Sequence, residues 1–150
     1  MELQHPFVLR ALQQSDFHKG YLQLLEQLTK VGNISEEEFT SRLEQVQNAG
    51  DSYKIAVIED LDKKQIVATG TVLIELKFVR NCGKAGHIED VVVDQSTRGQ
   101  HLGQRMVEHL TKVAKEVGCY KVILDCSKEN VPFYEKCDLH QKGIQMAHYF

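Results

Sequence analysis

The chain has 150 residues, 42% hydrophobic and 26% charged, with a formal net charge of −3. That length suits one domain, whose folding buries roughly two-thirds of its unfolded surface and so sustains a core without metal or disulfides. The acidic balance and scattered Lys and Arg set nucleic acid aside as a main partner, and no apolar run approaches bilayer length.

The first ten residues mix Glu2, His5, Pro6 and Arg10 with apolar ones. They lack the apolar h-region of a secretory signal, so a cytoplasmic location is expected. Residues 7–10 read as a first strand. Ser15 or Asp16 can cap a helix over 17–31, with Leu22, Leu25 and Leu28 on one face and Gly32 as its stop. A second helix starts at Ser35, where Glu38 completes a capping box; Phe39, Leu43 and Val46 form its stripe and Gly50 closes it.

The period then changes. Residues 53–58 alternate as a strand, 60–64 turn, and 66–79 form a long second strand rich in Val, Ile and Thr. Asn81, Gly83 and Gly86 mark a loop, and 88–93 a short apolar strand. Next come a helix over 102–117 stopped by Gly118, a strand at 121–124, a short helix at 131–136 and a last strand at 144–150. The order indicates one mixed α/β domain (1–150) built around one sheet. Cys82, Cys119, Cys126 and Cys137 fit no C-x-x-C pair or zinc spacing, so free thiols and no metal are expected.

The segment that carries chemistry is Val91-Val92-Val93-Asp94 followed by Arg98-Gly99-Gln100-His101-Leu102-Gly103-Gln104 and an amphipathic helix. The first N–H groups of that helix have no internal partner and carry partial positive charge, a place for a phosphate or pyrophosphate. Gly99 and Gly103 would let a ligand approach the backbone, and Arg98 can add a charged contact. No G-K-[ST] follows, and G-x-G-x-x-G is not matched.

With Asn130-Val131-Pro132-Phe133-Tyr134-Glu135-Lys136 downstream, these residues resemble the GNAT superfamily, whose loop reads [RQ]-x-x-G-x-[GA]. Arg98 and Gly103 match its ends; His101 replaces its middle glycine, and Asp138 replaces a glycine that usually follows the second motif. Four further segments are similar to the eukaryotic glucosamine 6-phosphate N-acetyltransferases: Gly86–Val93, Gly118–Cys126, Gln27–Thr29 and Glu75–Phe78.

The resemblance implies a mostly antiparallel mixed sheet flanked by helices and direct acetyl transfer from acetyl-CoA in a ternary complex. It assigns Val91, Val92, Val93, residues 98–104, Asn130 and Tyr134 to the cofactor, with Tyr134 bonding the leaving thiolate. Glu89, Asp90 and Asp125 lie at the sugar amine, and which of them, or a water, takes the proton stays open. Lys77, Arg80 and Lys121 meet the sugar phosphate, with Thr29, Phe78, Val79 and Tyr120 alongside. Where several members carry an arginine before the C-terminal end, this chain has His148-Tyr149. The family's enzymes are homodimers. Two other readings stand beside this one: a peptide or polyamine acceptor, against which the basic trio argues, and a CoA-binding protein without turnover, against which Tyr134 and the Glu89-Asp90 pair argue.

Overall fold

The computed structural model describes residues 2–150. Five strands, β1 (Phe7–Ala11), β2 (Tyr53–Asp60), β3 (Gln65–Leu76), β4 (Lys84–Val93) and β5 (Lys121–Ile123), form one sheet whose spatial order repeats chain order. The first four pair antiparallel and β5 joins β4 in parallel. A single turn, α3 (Val79–Cys82), joins β3 to β4, and the parallel step needs a crossover, supplied by the long helix α4 (Leu102–Val117).

Two cores lie on opposite faces of this sheet. Helix α4 buries Leu102, Met106, Val107, Leu110 and Ala114 against Val72, Ile74 and Ile88, a stripe at i, i+4, i+5, i+8 and i+12 that keeps one side on the sheet. The other core gathers Tyr21, Leu24, Phe39, Leu43, Val57, Ile66 and Val92 under α1 (Tyr21–Glu26) and α2 (Glu36–Asn48). Helix α2 begins as its sequence predicts: the Ser35 hydroxyl accepts from Glu38 N–H at 3.1 Å and Glu38 Oε2 accepts from Ser35 N–H at 2.9 Å.

Four expectations need correction. The helix expected over 17–31 is broken: a 3-10 turn, Gln14–Lys19, ends at Gly20, whose φ of +78° starts the six-residue α1, and 27–34 is irregular. A buried ion network pins that break, because Arg10 holds Asp16 at 2.7 Å and Glu59 at 2.7 Å, and Lys19 holds Glu59 at 2.7 Å. Gly86 lies within β4, whose pairing starts at Lys84. The strand expected over 66–79 ends at Leu76. Residues 144–150 make no strand within the chain, and Ile144, Met146, Tyr149 and Phe150 are almost fully exposed. Among the described residues no helix is long and apolar enough to cross a membrane.

Candidate active site

The site grows from an irregularity in the middle of the sheet. Thr69 pairs with Val92 and Thr71 with Glu89, so Gly70 alone faces both Asp90 and Val91. This β-bulge puts Asp90 at φ +52°, a left-handed conformation that costs an L residue roughly 1–2 kcal/mol. It also changes the parity of β4. Before it, Gly86 and Ile88 face α4; after it, Val91 and Val93 do, and Val92 joins the opposite core. Strict alternation, which the sequence suggests for Glu89 and Asp90, fails here.

Along its other edge, β4 leaves β5 early. Ala85, Gly86 and His87 pair with Lys121, Val122 and Ile123, and no pairing continues beyond. From Ile88 to Val93 this edge of β4 therefore opens into a wedge, bounded on the far side by 124–127. Backbone groups in such a wedge need partners, and an extended amide-containing chain can supply them.

Helix α4 starts at the end of that wedge. Asp94 anchors the approach by accepting from Ser96 N–H and Oγ at 2.8 Å each, and its carboxyl is held below the usual range chiefly by that backbone bond. Gly99 at φ +88° has open space where a side chain would be, and Arg98, Gln100 and His101 are exposed beside it. His101 itself is left-handed at φ +60°, so the glycine it replaces is asked for by the backbone. Gly103 differs from expectation: a Cβ there would meet Phe133 Cζ at 3.1 Å and Val93 Cγ2 at 3.4 Å. Its smallness seats α4 against β4 and α5 (Val131–Glu135) rather than admitting a ligand. The free N–H groups of Leu102, Gly103 and Gln104 still open the helix, and Gln104 reaches Glu108 at 3.0 Å.

Asn130 precedes α5 and Tyr134 lies within it. Tyr134 packs edge-on to Phe133 with centroids 4.9 Å apart. Burial pushes its phenol up, and nearby Cys126 and Cys137 add to the shift; the hydroxyl keeps its proton at neutral pH and can donate it.

The open face of β3, β4 and β5 holds the remaining candidates. Glu89 lies two residues beyond His87 on β4, and Asp125 lies two beyond Ile123, so both carboxylates follow the same face. Partial burial pushes the Glu89 carboxyl up, with the charges of Asp125 and then Asp90 adding to it. Asp125 Oδ2 also accepts from Gln145 at 3.1 Å. Four residues back, roughly 13 Å along the strands, the charge reverses. Lys121 and Arg80 both lie over the Tyr120 ring, 5.6 and 5.4 Å from its centroid.

The structure divides the expected phosphate set. Lys77 is paired with Glu75 at 3.1 Å, and Glu75 also bonds His87 at 2.9 Å. Phe78 and Val79 are exposed on the same hairpin. Thr29 lies elsewhere: Gln27, two residues before it, bonds Gln95 N–H at 3.1 Å beyond the end of β4. Lys121 is level with Ala85, nine residues from Asp94, so roughly 25–30 Å of strand separates the two ends. One chain does not bring Thr29 and Lys121 to one ligand. Sequence reasoning overlooked His87 and Glu75; the signal was position, since His87 shares the face of Glu89 at i−2.

Comparison with known proteins agrees with this geometry. The profile of the acetyltransferase (GNAT) family matches residues 14–139. A glucosamine 6-phosphate N-acetyltransferase of Arabidopsis thaliana is 55% identical over 144 residues, 96% of this chain and 97% of its own. One from Candida albicans is 44% identical over 98% of both chains. The crystal structure of glucosamine-6-phosphate N-acetyltransferase from Arabidopsis thaliana superposes with a TM-score of 0.96 at 54% identity, covering 97% of this chain and 99% of that one. A bulged central strand, a wedge beside it and a helix opening at its end, matched over most of the length, make one conclusion plain: the chain belongs to the acetyltransferase (GNAT) family.

Proposed function

We propose that this chain transfers the acetyl group of acetyl-CoA to the amine of glucosamine 6-phosphate, releasing CoA. The observation that carries the acceptor assignment is the polarity of the open face. Carboxylates cluster at one end (Glu89, Asp90, Asp125), and at the other stand Arg80 and Lys121, which form no salt bridge among the described residues, beside the wedge between β4 and β5. An amino-sugar phosphate has the same polarity, with an ammonium at one position and a dianion at another. A polyamine has no use for the cationic end, which disfavours that acceptor.

Acetyl-CoA fits the other side as co-substrate. The N–H groups opening α4, with Arg98 nearby, suit its pyrophosphate; the open edge of Val91 to Val93 suits its amide-bearing arm. In the transfer, the amine nitrogen forms a bond to the thioester carbonyl carbon and the C–S bond breaks. The ammonium proton leaves toward the acidic cluster, where the raised Glu89 carboxyl is the better acceptor. The Tyr134 hydroxyl supplies a hydrogen bond or proton to the departing sulfur.

We also propose a homodimer in the cytoplasm. The separation of Thr29 from Lys121 supports it, because a second copy can bring its own Thr29 to the site. So does the exposed apolar segment 144–150. The acceptor assignment is tested by measuring CoA release with glucosamine 6-phosphate, glucosamine and a lysine peptide in parallel. Turnover confined to the phosphorylated sugar is expected; turnover with peptide and none with the sugar would discard the acceptor while leaving the family in place.

A further inference from the structure

Gln27 caps the C-terminal end of α1, and its side chain bridges to the far end of β4, 67 and 68 residues away in sequence. Its Oε1 accepts from Gln95 N–H at 3.1 Å, and its Nε2 donates to Asp94 Oδ2 at 3.5 Å. A primary amide accepts and donates at once without carrying charge. Asparagine has the same group but is one methylene shorter.

Both ends of this bridge are anchored. Helix α1 has six residues, too few to hold its own place. Tyr21 and Leu24 seat it in the core beside Val92. The ion network fixes its entry: Arg10 holds Asp16 with two bonds of 2.8 and 2.7 Å, and Asp16 Oδ2 also accepts from Gln13 N–H at 2.9 Å. At the other end, Asp94 gathers the 3-10 turn Gln95–Thr97 into one body. Thr97 N–H and Oγ1 both donate to Asp94 O at 3.0 Å, adding to the two bonds from Ser96. Asp94 N–H bonds Val67 O at 2.8 Å and ties that body to the sheet. A body tied at one point can still tilt, and the Gln27 amide supplies a second point. Arg98 and Gly99 follow directly, then the free N–H groups that open α4, so the tilt of the turn sets where all of them lie.

We propose that Gln27 is a positioning residue for acetyl-CoA, a latch that holds the 94–97 turn to α1. It thereby aims Arg98 and the opening N–H groups of α4 at the pyrophosphate, acting through the loop and not by contact with either substrate. The inference rests on the acetyl-CoA reading above and is independent of the acceptor. The amide is exposed, so water competes for both bonds and the latch weighs about as much as one net hydrogen bond.

The test compares wild type with Gln27→Ala, with Gln27→Glu, and with Gln27→Glu combined with Asp94→Asn. Steady-state kinetics use acetyl-CoA and S-acetylpantetheine, which keeps the thioester and amide arm but lacks the pyrophosphate. Calorimetry follows CoA binding. Gln27→Ala is expected to raise KM for acetyl-CoA about three- to tenfold and to weaken CoA binding in parallel. Its kcat/KM for acetylpantetheine and its melting temperature stay at the wild-type values. Gln27→Glu sets a carboxylate against Asp94 and raises KM further. Adding Asp94→Asn returns a donor from the other side and recovers most of the wild-type KM, which a loosened fold would not do. An unchanged KM in Gln27→Ala, an equal loss on acetylpantetheine, or no recovery in the double variant would each overturn the latch. Wild type that binds no CoA defeats the cofactor reading and the latch with it, whereas equal CoA affinity in wild type and Gln27→Ala defeats the latch alone.

Discussion

Tyr134 is held through its ring and through its backbone carbonyl. Its ring meets Phe133 edge-on, Phe133 fills the space that Gly103 leaves, and Leu139 N–H bonds Tyr134 O at 3.1 Å. A phenol fixed in this way and pushed above its ordinary range donates rather than ionises. Tyr134→Phe is therefore expected to lower kcat about 10²-fold, in the range of one lost acid or hydrogen-bond donor, with KM for acetyl-CoA nearly unchanged. Stopped assays of CoA release check this, and full turnover in the variant would remove Tyr134 from the leaving-group role. The two glycine replacements show how finely single positions speak. His101 at φ +60° and Asp138 at φ +63° both occupy left-handed backbone. Family comparison of the sequence marks those positions as unusual, but only the backbone shows the reason.

At the scale of elements, the seat of α4 rests on absent side chains. A Cβ at Gly70 would lie 2.8 Å from Leu110 Cδ1 and 2.9 Å from Met106 Cγ, and one at Gly86 would lie 2.9 Å from Ala114 Cβ. Gly70 is also the residue that faces the bulge, so one position sets both the bulged strand and the helix above it. Gly70→Ala is expected to cost about 1–3 kcal/mol as overpacking and to raise KM for acetyl-CoA several-fold by lifting α4 from the wedge. Leu110→Ala in the same chain should recover that KM while leaving the protein less stable. A melting-temperature loss with no change in KM would limit Gly70 to packing. The sequence made most elements legible: caps, stops and periodicity placed α2, β2 and α4 nearly to the residue. It hid the break at Gly20, because Asp16 and the ions that bind it are distant in sequence from Glu59. It hid the bulge as well, since three consecutive valines read alike whichever face each one takes. Of the candidate site, the residue types were legible and their partition was not. Lys77 looked equivalent to Arg80 until Glu75 was seen beside it.

At the scale of the molecule, several features remain unexplained by one copy. Ile144, Met146, Tyr149 and Phe150 are exposed to 89% or more, an apolar run that a second chain would cover. Truncation after Gly143 is expected to convert a dimer to a monomer in light-scattering mass measurements and to lower kcat/KM for the sugar phosphate at least tenfold. A monomeric full-length chain with full activity would refute the dimer. The order of the sheet has a further consequence, in time rather than in space. Strands β2, β3 and β4 each pair with their chain neighbour across the short connections 61–64 and 77–83, so that meander zips up through short loop closures. By contrast, β1 must close over the helical segment 12–52. Strand β5 contributes only three parallel pairs and must await the whole of α4. The hairpins that carry Arg80, Glu89 and Asp90 therefore form early and Lys121, Asp125 and Tyr134 arrive late, so a nascent chain interrupted before that crossover carries only part of the site.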